Sequence, residues 1–208
     1  NLSKTQLISI YKKRMYERFH HLKTNYIPMD FYQLAPLFEL YSCLQWMIHE
    51  NSNLPMYLYE DIPIDFKIEK EWSKHDTGID FSDMNDVLGQ CKLRSKCSIS
   101  RRDISTFLAF VLEHQELNET QCHPVLTYNK DCSLPPNIQN LHKKGRMDLR
   151  PYDMDEMIHY CHSLSKPKIE RFVFQGLRPY QTECIQIGKE TKKHMIIHLP
   201  TGSGKTLI

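Results

Sequence analysis

Apolar residues recur at helical intervals at the start of the chain, where Leu7, Ile10, Tyr11 and Met15 predict a helix from Ser3 to about Lys23. Ser3 and Gln6 stand at capping-box spacing at its beginning. Lys12, Lys13, Arg14 and Arg18 occupy its polar face, which reads as solvated surface in preference to a DNA contact. Asn25 to Asp30, with Pro28, reads as a connector. A second helix follows, with Pro36 near its first turn and Leu37, Leu40, Tyr41, Leu44, Met47 and Ile48 as its apolar stripe. Glu39 lies beside that stripe. Residues 50–75 give no clean period, apart from a short candidate strand at Tyr57 to Tyr59.

The pattern then shortens to strand length. Gly78–Ser82 and Val87–Leu93 read as two strands joined by a turn over Ser82 to Asp86. A helix is expected from Ser100, capped through Asp103, with Ile104, Phe107, Leu108, Val111 and Leu112 buried. Val125–Tyr128 is a further strand, and Leu134-Pro135-Pro136 breaks regular structure. Asp153 and Glu156 open a short helix that runs through Cys161. This order predicts an α/β domain with a small mixed sheet flanked by helices.

Composition adds bounds. The 208 residues suffice for one full domain plus a fragment, and 40% hydrophobic with 25% charged residues is ordinary for a globular protein. A net charge of +2 does not announce nucleic acid, although a local basic surface would serve DNA equally well. No apolar run reaches the length of a membrane span, and no signal-peptide pattern opens the chain, so an intracellular protein without a membrane partner is expected. The seven cysteines form no compact disulfide framework. Cys122-His123, Cys132 and Cys161-His162 raise structural zinc, but no pair has CxxC spacing.

Candidate chemistry sits on the predicted hairpin. Period-two geometry sends Gln90, Lys92 and Arg94 to one side of their strand, and Gly89, Cys91 and Leu93 to the other. Ile79 and Phe81 flank Asp80, so pairing the apolar faces puts Asp80 on the side of Gln90 and Lys92. An ion pair with no further role is the plain alternative. The string Asp76-Thr77-Gly78-Ile79-Asp80 followed by Gln90-Cys91-Lys92 resembles the GxD…QxK signature of the Mrr-like branch of the PD-(D/E)XK nucleases, and Phe38-Glu39 resembles the "Phe-Glu" early in that branch's first core helix. The likeness runs over roughly residues 31–165. It implies a restriction-endonuclease-like core, DNA as substrate, and Mg²⁺ as cofactor with Mn²⁺ able to substitute. It also implies Asp80 and Glu39 as metal ligands, Gln90 at the usual acidic position, and the carbonyl of Cys91 as a further oxygen. Lys92 would stabilise the attacking hydroxide or the transition state. Gln90 departs from the acidic residue and makes a weaker ligand. Asp76 either adds charge or serves the turn, the turn being favoured. Arg94, Lys96, Arg101, Arg102, Lys143, Lys144 and Arg146 are candidates for the DNA backbone, each as readily solvated surface.

The C-terminal segment differs. Pro200-Thr201-Gly202-Ser203-Gly204-Lys205-Thr206 follows a short apolar run, His194 to Leu199, and Leu177-Arg178-Pro179-Tyr180-Gln181 precedes it. Glycines after a strand let backbone N–H groups close on phosphates, with the lysine on the β/γ-phosphates and the threonine on Mg²⁺. The form resembles motif I of superfamily 2 helicases and the element before it. That resemblance implies ATP as ligand, Gln181 at adenine, and Thr201, Gly202, Ser203, Gly204, Lys205 and Thr206 around the phosphates. The expected organisation is an N-terminal helical extension at 1–30, a nuclease domain at 31–166 and the start of a helicase domain at 167–208. The chain would then be cut from a longer nuclease–helicase polypeptide, in which alone ATP is hydrolysed. The leading functional expectation is an endodeoxyribonuclease, with a dimer on DNA if both strands are cut. A DNA-docking module with a degenerate nuclease fold is the alternative, and a protein-interaction platform is the third reading.

Overall fold

The computed structural model describes residues 2–49, 54–72, 78–94, 98–118 and 122–166, together with 186, 187 and 190. Contacts divide the chain into Asn1–Pro167 and Lys168–Ile208. The first unit is α/β, with a small mixed five-stranded sheet flanked by helices.

Helix α1 (Lys4–Thr24) begins as its spacing predicts. The Ser3 hydroxyl accepts from the Gln6 N–H at 3.3 Å, and the Gln6 side chain accepts from the Ser3 N–H at 2.8 Å. It buries Leu7, Tyr11, Met15, Phe19 and Leu22 in the same core as the rest of the unit, so the segment read as an extension is packed into the domain. Helix α2 (Phe31–His49) starts a turn earlier than Pro36 suggests. Asp30 accounts for this: its carboxylate accepts from Gln33 N–H at 2.9 Å and caps the first turn, leaving Pro36 inside the helix. Ile48, placed on the apolar stripe, is 44% exposed, whereas Trp46 is buried in its stead.

The sheet runs β1 (Tyr57–Leu58), β2 (Phe81–Ser82), β3 (Val87–Lys92), β4 (His123–Asn129), β5 (Asp148–Tyr152), in that spatial order. The first two pairings are antiparallel and the last two parallel. A 3₁₀ turn at Tyr59–Asp61 and the short α3 (Ile64–Glu69) lie between β1 and β2, in the stretch without readable period. The crossover from β3 to β4 is α4 (Ser105–Asn118), entered through a 3₁₀ turn at Arg101–Ile104 with the expected Ser100–Asp103 capping box. Leu112, expected in the core, is 59% exposed. The crossover from β4 to β5 is α5 (Pro136–Lys143), so the prolines read as an interruption start a helix, with Pro136 at its first turn. Helix α6 (Met154–Ser163) is capped by Asp153, whose carboxylate accepts from Asp155 N–H at 2.9 Å.

Helix α2 covers one face of the sheet. Its Ser42 hydroxyl donates to Thr127 Oγ1 on β4 at 3.1 Å, and Trp46 packs on Phe81 of β2. Two glycines let the layers close. A Cβ on Gly89 would meet the Phe81 ring at 2.0 Å, and one on Gly78, which has φ +76°, would meet the Phe107 backbone nitrogen at 2.8 Å. Tyr11 reaches from α1 to the edge strand, where its hydroxyl accepts from Leu58 N–H at 2.8 Å. At the opposite edge, β5 carries Pro151, which has no N–H to offer. None of the described helices is long and apolar enough to cross a membrane.

Candidate active site

The hairpin carries three of the four candidate residues. Asp80 precedes β2 and still joins the ladder, its N–H donating to Gly89 O and its carbonyl accepting from Tyr59 N–H, both at 2.8 Å. Gly89 is the register partner of Phe81, so two successive residues face one across the strands in the manner of a bulge. Cys91 N–H then donates to the Asp80 carboxylate at 2.6 Å. This charge-assisted bond pins the carboxylate between its own strand and β3.

Gln90 and Lys92 alternate on β3 with Gly89 and Cys91, as expected. Lys92 is half-buried, at the carboxyl end of the strand and opposite Tyr128 of β4. Gln90 is only 3% exposed, and its Oε1 is buried without a hydrogen-bond partner. Such an oxygen costs about 1–3 kcal/mol when nothing binds it. Donors from β4 and α2 satisfy the rest of this stretch: Thr127 Oγ1 contacts Cys91 Sγ at 3.1 Å and Gln90 O at 3.4 Å.

Glu39 comes to the site from α2. Burial, first, and then the negative charges of Asp80 and Glu60 push its carboxyl up to about 7, while Arg18 and Lys92 act in the opposite direction. The helix and the hairpin therefore bring Glu39, Asp80 and Lys92 into one electrostatic neighbourhood. Cys43 and Cys91 lie alongside, and burial pushes both thiols well up, so they are neutral packing groups and not nucleophiles.

Two features escaped the sequence reading. Asn129, 4% exposed at the end of β4, holds the chain just beyond Lys92: its Oδ1 accepts from Arg94 N–H at 3.2 Å and its Nδ2 donates to Arg94 O at 3.3 Å. A polar residue ending an apolar strand gives no sequence signal of that role. A cleft of about 470 Å³ also opens beside Glu39, walled by Arg14, Glu17 and Arg18 of α1 and by Pro36 and Leu40 of α2. The basic face of α1 was legible, but its placement against Glu39 depends on the helix pairing.

Of the candidate phosphate contacts, Arg94 is ion-paired with Asp103, and Arg101 and Arg146 line a separate cavity of about 790 Å³ between α4 and α5. Asp76, Lys96, Gln181, Thr201, Gly202, Ser203, Gly204, Lys205 and Thr206 lie outside the described residues.

Among the described residues no three His, Cys, Asp or Glu side chains converge as a metal-binding group. Cys122, Cys132 and Cys161 are buried thiols outside any disulfide. A divalent hard cation is matched by oxygen donors of other kinds as well. The unpartnered Oε1 of Gln90 is an oxygen of that kind. Comparison with protein-family models, with curated proteins and with solved structures returns no match to the chain.

Proposed function

We propose that the first unit is a metal-dependent endodeoxyribonuclease domain with a restriction-endonuclease-like core, which hydrolyses DNA phosphodiesters. The observation that carries the reading is the convergence of Glu39, from a helix, with Asp80 and Lys92, from a hairpin. The order of elements supports it. A helix bearing Glu39, the strands bearing Asp80 and Lys92, then α4 and β4 follow one another as the resemblance implies.

Asp80, Glu39, the Gln90 amide oxygen and the Cys91 carbonyl would hold Mg²⁺ or Mn²⁺. When bound, the ion supplies charge neutralisation at the scissile phosphate and acidifies a water. The chain's own groups do the rest. Cys91 N–H fixes the Asp80 carboxylate, and Asn129 fixes the segment that follows Lys92. Lys92 Nζ donates hydrogen bonds to the attacking oxygen or to the phosphoryl oxygens as negative charge develops there. Its place at the carboxyl end of a parallel strand pair suits that task, because such ends are where open α/β sheets present their ligand sites.

The test is cleavage of supercoiled plasmid with Mg²⁺ or Mn²⁺, comparing the chain with Asp80→Ala and Lys92→Ala. Nicking or linearisation that disappears in both variants and with a chelator is the expected result. Intact plasmid at high protein concentration in either metal would remove autonomous cleavage. A second reading, a DNA-docking module without hydrolysis, draws on the amide at Gln90 and the absence of three convergent metal-binding side chains among the described residues. It expects DNA affinity that survives Asp80→Ala, with no cutting before or after. The residues from Pro200 to Thr206, by their sequence, add ATP-driven DNA translocation to the proposal for a longer polypeptide.

A further inference from the structure

The cleft beside Glu39 joins two helices whose connection leaves aromatic rings in solvent. Arg14 is committed in this cleft, making a bidentate pair with Asp61 at 2.6 and 2.8 Å. Arg18, one turn further on, is exposed, lines the same cleft and makes no ion pair among the described residues. It lines the cleft together with Glu39, with no ion pair between the two, and its positive charge acts on that carboxylate. An arginine held in this way is disposed to take an anionic oxygen between itself and a cation on Glu39.

Helix periodicity extends the surface. Tyr32, Pro36 and Glu39 are spaced by four and three residues on α2, and so form one stripe. Pro36 and Glu39 line the cleft, which fixes the side that the stripe faces. Tyr32 therefore stands about 10 Å up the helix from Glu39 on the cleft side. It is 83% exposed, and Tyr26, in the connection between the helices, is 94% exposed. These two rings are the most exposed of the large hydrophobic residues described. Tyr26 also has φ 53°, a left-handed backbone that a tyrosine seldom adopts.

A basic group and a solvent-facing ring in line with a metal-ligand candidate are what an unpaired nucleic-acid strand uses, phosphate on the cation and base on the ring. We infer that the α1–α2 cleft is the path of single-stranded DNA to the site, with Arg18 on a backbone phosphate and Tyr32 stacking a base. The inference rests on the nuclease reading, because Glu39 and Glu60 would repel phosphate without a cation to offset them. It deepens that reading by naming the substrate: DNA with unpaired nucleotides next to the scissile phosphate, in preference to continuous duplex.

The experiment separates binding from cutting. Fluorescence anisotropy with labelled oligo(dT) and a blunt duplex of equal length, in Mn²⁺, would use the full chain carrying Lys92→Ala, which keeps the oxygen donors. Tyr32→Ala added to that background is expected to weaken oligo(dT) binding about tenfold and leave the duplex unchanged, while Tyr32→Phe binds like the parent. Arg18→Ala is expected to weaken oligo(dT) binding and to flatten its salt dependence by about 0.7 in log–log slope. Both side chains are exposed, so the fold is expected to tolerate the changes. Unchanged oligo(dT) binding in Tyr32→Ala and Arg18→Ala overturns the inference, as does a Tyr32→Phe variant as weak as Tyr32→Ala. Plasmid cleavage by the chain with Lys92 intact reports separately on hydrolysis. A chain that cuts nothing yet binds oligo(dT) through Arg18 and Tyr32 keeps the strand path and loses the nuclease. A chain that cuts while indifferent to both substitutions loses the strand path alone.

Discussion

Gln90 sets an oxygen out of reach of water with no donor to meet it. A bound cation would supply what that oxygen lacks, so stability and metal should be linked through this one residue. In chelator, Gln90→Glu is expected to lower the stability of the chain by about 2 kcal/mol at pH 8, since it buries a carboxylate where the amide now stands. Added Mn²⁺ should then raise the melting temperature of the variant by more than it raises that of the wild type. Thermal unfolding with and without Mn²⁺ measures this, and a metal that moves neither protein would exclude the site. Glu39 carries the complementary expectation. Its carboxyl titrates near 7 in the fold against about 4.5 free, so its contribution is complete at pH values below the free value. That contribution is lost as the pH rises through 7. In metal-free protein, Glu39→Gln should therefore gain on the wild type between pH 5 and 8, on the order of 2 kcal/mol. Urea midpoints at the two pH values give the comparison, and parallel curves would contradict it.

At the scale of elements, legibility followed length and face. Helix α1, the long α2 and the strand of Gln90 and Lys92 were readable because each spans enough residues for a period to repeat, with Ser3 and Asp153 marking starts through their caps. Helices α3 and α5 were not, having six and eight residues and a single buried residue each. Strand β5 reads Asp-Leu-Arg-Pro-Tyr, which has neither alternation nor β-forming composition, and it exists because β4 offers it a ladder. The candidate site was legible as residue types on one hairpin. The supports were not, since Asn129 and the cleft beside Glu39 are products of how distant segments meet. Asn129 matters most among them, for it ties β4 to the segment after Lys92 by two bonds to Arg94. Asn129→Ala is expected to cost about 1 kcal/mol in chemical denaturation, because the N–H and C=O of Arg94, in part-buried bonds, lose their partner. Under the nuclease reading it should reduce cleavage more than binding, by loosening Lys92.

Across the whole first unit, three layers are locked by points where bulk is forbidden. Gly78 admits the backbone of α4, and Gly89 admits the Phe81 ring of its own hairpin, on which Trp46 of α2 packs, so the hairpin bearing Asp80 is held between the two helices. That rigidity is what a site built from strands requires of its scaffold. The residues from Pro200 to Thr206, whose sequence resembles a helicase phosphate loop, lie outside the described residues.

The phenol of Tyr11, which accepts the Leu58 N–H, makes α1 the seal on an otherwise open strand margin. Stripping off the first thirty residues would uncover the Leu58 amide at that margin, together with the apolar floor that α1 hides. A polypeptide beginning at residue 31, the boundary that the family resemblance implies for a minimal domain, should accordingly self-associate. The intact chain should elute as a smaller species in size-exclusion chromatography at equal concentration. A monodisperse, folded 31–166 fragment would show that the seal is dispensable.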